Sequence, residues 1–339
     1  MVIFKYLLKV IFSGGAMEAI EIALKDFEVS VRTKKFQSMV GLFIIIAIAL
    51  VYYSKALGVS EESYKTPFQM VFLSTFSNAF TYSISLLGLL FGATSISNEI
   101  ENGTMKILGT KPIYRSQIIL GKLLGSSLII FAGLVIFYIL TVAFALIIGF
   151  PFSQEDFVRF LITFPFSFLY GLIFSSFGLL ISVSIRKSKN VLIMAIFIFI
   201  FFNVLLSTIA GVVALAIAGL PPVPELPENA LNLTEEELED LILKDPSYQA
   251  WLTELVNTAE KILYTAPNYH YQEIMRLLFG GKPQISEVIS AITYNEMVVE
   301  DRSLGESLGL IFQNVIMLMI MFLLPLPVSY IKFIRADLR

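Results

Sequence analysis

Six long apolar runs set the pattern of the chain: Met39 to Ala56, Met70 to Ser95, Leu123 to Phe150, Phe157 to Ile185, Val191 to Leu220 and Leu308 to Phe333. An α-helix rises 1.5 Å per residue, so about 20 apolar residues cross a hydrocarbon core of about 30 Å. Each run therefore predicts a transmembrane helix. The fifth exceeds one crossing, and its outer end is expected to tilt, bend back or leave the membrane. Ahead of the first run, AIEIALKDFEVSVRTKKF sets Ile20, Leu24, Phe27 and Val31 at helical spacing, with Glu21, Lys25, Glu28 and Arg32 on other faces. This predicts an amphipathic helix lying in the inner membrane interface. Packing on a soluble partner is the other use of such a face. The opening MVIFKYLLKVIF is too short to span, carries Lys5 and Lys9, and makes a poor signal peptide. Met17 begins the amphipathic helix and is an alternative start.

Between the fifth and sixth runs the pattern changes to short helices. Thr234 with Glu237 forms a capping box ahead of EEELEDLILK. Asp245-Pro246 is a cap followed by proline at the first helical position, opening a helix through Trp251 and Leu255. PNYHYQEIMRLLFGG gives a third helix ended by glycine. Asn232-Leu233-Thr234 matches a glycosylation sequon. The expected fold is all-α and integral to the membrane: a six-span bundle, an N-terminal amphipathic interfacial helix, and a helical extracellular insertion between spans five and six. The corresponding divisions are residues 1–37, 38–220 with a loop at 98–122, 221–305, and 306–339.

Composition agrees. Hydrophobic residues make up 56% of the 339 and charged residues only 15%, against about a quarter charged in soluble domains. The absence of cysteine excludes disulfides, thiolate metal sites and cysteine nucleophiles. Lys and Arg near span ends set orientation. Arg32, Lys34 and Lys35, the group Lys106, Lys111, Arg115 and Lys122, then Arg186, Lys187 and Lys189, and finally Lys332, Arg335 and Arg339 all fall on one side of six spans. Both termini are therefore expected in the cytoplasm, and the acidic segment after Leu220 outside.

Candidate chemistry is sparse. Ion-driven transporters and intramembrane enzymes keep ionisable groups in their spans, and these runs are almost free of them. His270, the lone histidine, reads as a packing or surface residue. Small polar residues such as Ser74, Ser77, Asn78, Thr81, Ser83, Asn203, Gln313 and Asn314 either hydrogen-bond between helices or line a substrate path. Ser77, Asn78, Thr81, Asn203 and Asn314 are the path candidates. Nothing points to a nucleic-acid partner.

The charged island NEIENGTMKILGTKPIYRSQIILGK at 98–122 resembles a phosphate loop only superficially. Gly103 and Gly109 have five residues between them, then Thr110, Lys111 and a proline. A phosphate loop has four, followed directly by Lys and Ser or Thr, and runs from a strand into a helix. FSGGA at 12–16 echoes an ATPase signature loop without an ATPase around it. Local signals instead break the island at Asn102-Gly103, cap a short helix with Thr104, end it near Gly109 and Pro112, and cap the next helix with Ser116. A solvated turn that merely reverses the chain is the bland alternative.

The pattern Glu99, Gly103-Thr104-Met105, Leu108, Pro112, Arg115 and Leu120-Gly121-Lys122, with the amphipathic leading helix, six runs, outer insertion and FIRADLR ending, resembles the ABC type-2 transporter permeases across nearly the whole chain. Gly109-Thr110-Lys111 departs from the more apolar or small residues of many members. The resemblance implies the transmembrane subunit of an ABC exporter, without its own ATPase site or cofactor. It would be paired with a second permease subunit and with separate ATPase subunits that bind ATP and Mg. Glu99, Gly103, Thr104, Met105, Leu108, Pro112 and Arg115 would then form or shape the coupling helix against the ATPase. A non-transporting scaffold or sensor, whose acidic outer domain binds a protein ligand, is the reading from another class.

Overall fold

The computed structural model describes residues 16–56, 77–105, 113–148, 153–185, 187–223, 234–283, 300 and 302–335. The opening dozen residues, the start of the second apolar run, Leu108, Pro112, Arg186, Asn232 and Leu233 lie outside them. The described residues are helical: α1 (Ala16–Val31), α2 (Lys34–Ala56), α3 (Ser77–Glu101), α4 (Arg115–Ile148), α5 (Gln154–Ser184), α6 (Ser188–Ile200), α7 (Leu206–Ala218), α8 (Glu235–Lys244), α9 (Pro246–Leu263), α10 (Pro267–Leu278), α11 (Leu304–Leu323) and α12 (Pro325–Arg335). A π-helical turn, Phe201–Leu205, joins α6 to α7 without interrupting the rod. Among the described residues, five stretches are long and apolar enough to cross a membrane: Ser77–Glu101, Arg115–Ile147, Gln154–Ser184, Ser188–Ala218 and Leu304–Arg335. They correspond to the second through sixth runs, with bounds that differ by several residues. The first run lies in α2, a helix of 23 residues.

The bundle is built on the contact between α3 and α5, and small residues explain it. A Cβ at Gly92 would lie 2.2 Å from the Ser175 carbonyl oxygen, and one at Gly88 2.4 Å from that of Gly171. Backbones touch here, as membrane helices do where glycine and serine replace bulk. The Ser182 hydroxyl accepts from the amides of Ile96 and Ser97 at 3.1 and 2.8 Å. Aromatic rings fill the space towards α2 and α4: Phe137 stacks on Phe43 and on Phe80 with centroids 4.5 and 4.4 Å apart. By contrast α6–α7 and α11–α12 leave most of their apolar side chains outward, as helices bordering lipid do.

The capping signals between spans are realised. Thr234 and Glu237 cap α8 reciprocally. Asp245 accepts from Ser247 N and Tyr248 N at 2.8 and 3.2 Å, which with the Ser247 hydroxyl holds its carboxyl below the usual range. Gly280, at φ 81°, follows α10. The packing of α10 was not foreseen from its sequence. Its Tyr271, Ile274, Met275, Leu277 and Leu278 are buried in the main core, against α3, α5 and α11. Arg159 of α5, only 3% exposed, secures this wedge. Its guanidinium donates to the Leu278 carbonyl and, at 2.5 Å, to that of Arg302. The last carbonyls of a helix lack intrahelical donors, so a buried cation suits them.

Candidate functional site

The island between α3 and α4 is anchored at both ends. α3 frays through hydrogen bonds from Asn102 N to Asn98 O and from Gly103 N to Ile100 O. Gly103 turns the chain at φ 72°, a left-handed conformation that costs a side chain roughly 1–2 kcal/mol. The Thr104 hydroxyl turns back to Glu99 O at 3.2 Å. Met105 is 2% exposed and packs into a cluster with Ile22 of α1, Ile96 of α3, Ile118 and Ile119 of α4, Leu179 of α5 and Phe333 of α12. The second residue beyond Gly103 thus joins a cluster drawn from five helices.

The chain re-emerges at α4, whose first residue is Arg115. Ser116 therefore sits inside the helix and is not its cap; the Gln117 side chain accepts from Tyr114 N at 2.8 Å instead. The longer amide reaches back over the first turn, which a serine already within it does not. Arg115 donates to Ile334 O at 2.6 Å, tying the start of α4 to the end of α12. Glu99 points inward. Lys122, 2% exposed, lies 2.5 Å from Glu99 and 2.9 Å from Asp26, joining α1, α3 and α4. Two carboxylates meet one ammonium, and Glu99 Oε2 is buried without a hydrogen-bond partner. Burial raises the Asp26 carboxyl despite the opposing Lys122 charge. Gly121 lets α1 lie close to α4: a Cβ there would meet Ala19 O and Ile22 Cβ at 2.8 Å. At the turn between α5 and α6, Ser188 N donates to Glu101 at 3.0 Å, and Lys332 donates to Ser184 at 3.1 Å.

The five path candidates fall in three places. Ser77, Asn78 and Thr81 lie at one end of α3, where Thr81 donates to Ser77 O at 2.7 Å and Asn78 accepts from Gln272 of α10 at 2.8 Å. Asn314 meets His270 Nδ1 at 2.7 Å, and the other ring nitrogen meets Tyr264 O at 2.8 Å. His270 is thus a packing residue engaged through both nitrogens. Asn203, inside the π turn, donates to Phe199 O at 2.9 Å and lies 3.4 Å from Ser85. The structure adds a polar seam that span-by-span reading misses. Tyr138 bonds Thr163 and Ser167 at 2.7 and 2.8 Å, Ser167 bonds Tyr271 at 2.7 Å, and Tyr271 stacks on Tyr170 at 4.3 Å. The one available signal was the apolar stripe along Tyr271, Ile274 and Leu278, which states that α10 is buried on one side but not against what. The described ends of the island thus form a junction at which α1, α3, α4, α5 and α12 meet.

The chain resembles two curated relatives, each described as a probable ABC transporter permease protein NosY. That of Stutzerimonas stutzeri is 28% identical over 175 residues, covering 50% of this chain and 60% of the relative. That of Pseudomonas aeruginosa is 28% identical over 109 residues, covering 32% and 38%. The alignments thus span about three-fifths or less of each relative's length. The family model described as ABC-2 family transporter protein matches residues 20–338, the whole junction and bundle included, and the chain belongs to that family of multi-pass ABC transporter permeases.

Proposed function

We propose that the chain is the permease subunit of an ATP-driven exporter and converts movement of a partner ATPase into movement of its own spans. In this reading α2 is a sixth crossing, both termini are cytoplasmic, and a second permease subunit completes the path. The observation that carries it is the anchoring of Met105 beside the Gly103 turn, in a cluster drawn from five helices. A force on the segment 106–112 reaches α3 and α4 through the chain, and α1, α5 and α12 through Met105. ATP and Mg are assigned to the partner. Lys122, the first described lysine after the turn in sequence, is held by Asp26 and Glu99, which supports that assignment. Ser77, Asn78, Thr81, Asn203 and Asn314 remain the proposed path residues, with outward transport inferred from the family pattern. The test is co-reconstitution with the cognate ATPase. Leu108→Glu is expected to abolish substrate-stimulated ATP hydrolysis while the permease stays folded. Unchanged stimulated hydrolysis overturns the coupling role.

A further inference from the structure

Beside the charged triad lies an open cavity of about 500 Å³ lined by α1, α2, α3 and α4. Its lining is divided by chemistry. Lys25, Lys34 and Lys35 stand at its edge, all exposed, and Lys34 and Lys35 have no ion-pair partner among the described residues. At its inner end lie Asp26, Glu99 and Lys122, whose two carboxylates outnumber their one ammonium. Val29, Phe91 and Ile129 supply apolar wall. The position is set by the helices themselves: the amphipathic α1, the start of α2 at Lys34 and Lys35, the end of α3 at Asn98 and Glu99, and α4 from Lys122 to Ile129 line it. Charged helix ends meeting apolar runs are what a helix presents at the headgroup layer of a bilayer.

We propose that this cavity binds a zwitterionic aminophospholipid, its phosphate received by Lys34 and Lys35 and its primary ammonium directed at the carboxylates of Asp26 and Glu99. A simple anion suits the lysines but meets two carboxylates, and a simple cation meets the reverse conflict. A ligand carrying both charges in fixed order satisfies both ends. A primary ammonium brings N–H donors for the carboxylate acceptors, which the quaternary ammonium of a choline headgroup lacks. The apolar wall receives the first carbons of the acyl chains. The proposal rests on the membrane placement of the chain and not on the ATPase partnership, so either stands if the other fails.

The full chain, delipidated in detergent, is titrated with dioleoyl phosphatidylethanolamine, dioleoyl phosphatidylcholine and dioleoyl phosphatidylglycerol, and bound lipid is counted by native mass spectrometry. Half-saturation by the ethanolamine lipid is expected at roughly tenfold lower concentration than by the other two, the factor that one charge-assisted contact supplies. The double replacement Lys34→Gln/Lys35→Gln removes that preference. Both lysines are exposed, so bundle packing is left intact. The matched replacement Lys187→Gln/Lys189→Gln, at the other cytoplasmic turn, keeps it. Equal binding of ethanolamine and choline lipids overturns the proposal, as does tighter binding of the glycerol lipid. It is also overturned if the Lys34/Lys35 variant retains the preference, if the Lys187/Lys189 variant loses it, or if millimolar inorganic phosphate displaces the lipid.

Discussion

Lys122 shows how one side chain is committed by its surroundings. A buried ammonium is tolerated because Asp26 and Glu99 reach it from two other helices, and removing it leaves two carboxylates facing each other. Lys122→Met is therefore expected to destabilise the chain by about 3 kcal/mol or more, read as lowered thermal unfolding in detergent. Adding Asp26→Asn to that variant restores part of the loss. Asp26 also predicts a pH dependence. Its carboxyl is raised above the ordinary value by burial, so the folded chain holds a proton that the unfolded chain has released. Stability from this group is full below the ordinary carboxylate range and declines as pH rises through the raised value. The difference in melting temperature between wild type and Asp26→Asn should fall in that direction, and a flat difference contradicts it. Little of this was legible in sequence. Lys122 read as an orientation signal, because its partner Asp26 lies 96 residues away and no local spacing announces it.

At the scale of elements, close backbone contact decides what glycine does. Gly92→Ala places a Cβ against the Ser175 carbonyl, which cannot rotate aside as a side chain can. A loss of about 1–3 kcal/mol is expected from overpacking, seen as a lowered unfolding temperature. Gly211→Ala meets nothing within 4 Å and should instead stabilise α7 by roughly 0.5–1 kcal/mol. The same distinction explains which helices were predictable. Thr234, Asp245 and Gly280 mark their elements by local chemistry, and the sequence reading places them correctly. α10 was legible as a helix but not as core, since amphipathic spacing records a buried face without its neighbour. Ser116 misled for a related reason: it has the chemistry of a cap but lies two residues past the cap position at Tyr114, and Gln117 does the work.

For the whole molecule, the expected arrangement puts the short helices α8 and α9 on the opposite side of the membrane from the junction. The chain contains no cysteine, so single replacements report sidedness cleanly. Ala250→Cys should react with an impermeant maleimide in intact cells, and Lys187→Cys only after permeabilisation; the reverse result inverts the proposed topology. Five of the six apolar runs recur among the described residues as helices long and apolar enough to cross a membrane, so that much of the architecture was readable from periodicity and length. How the island is braced depended on contacts between distant helices. One feature bears on how the protein is made. α10 follows α7 in the chain, yet its Tyr271 fills space between residues of earlier helices and its last carbonyl receives Arg159. During synthesis α3 and α5 emerge first and wait with that space unfilled. The bundle is complete only after residue 278 has been made and has folded back. A nascent chain stopped before Pro267 would thus carry most of its membrane helices and still present an unfinished core to whatever inspects it.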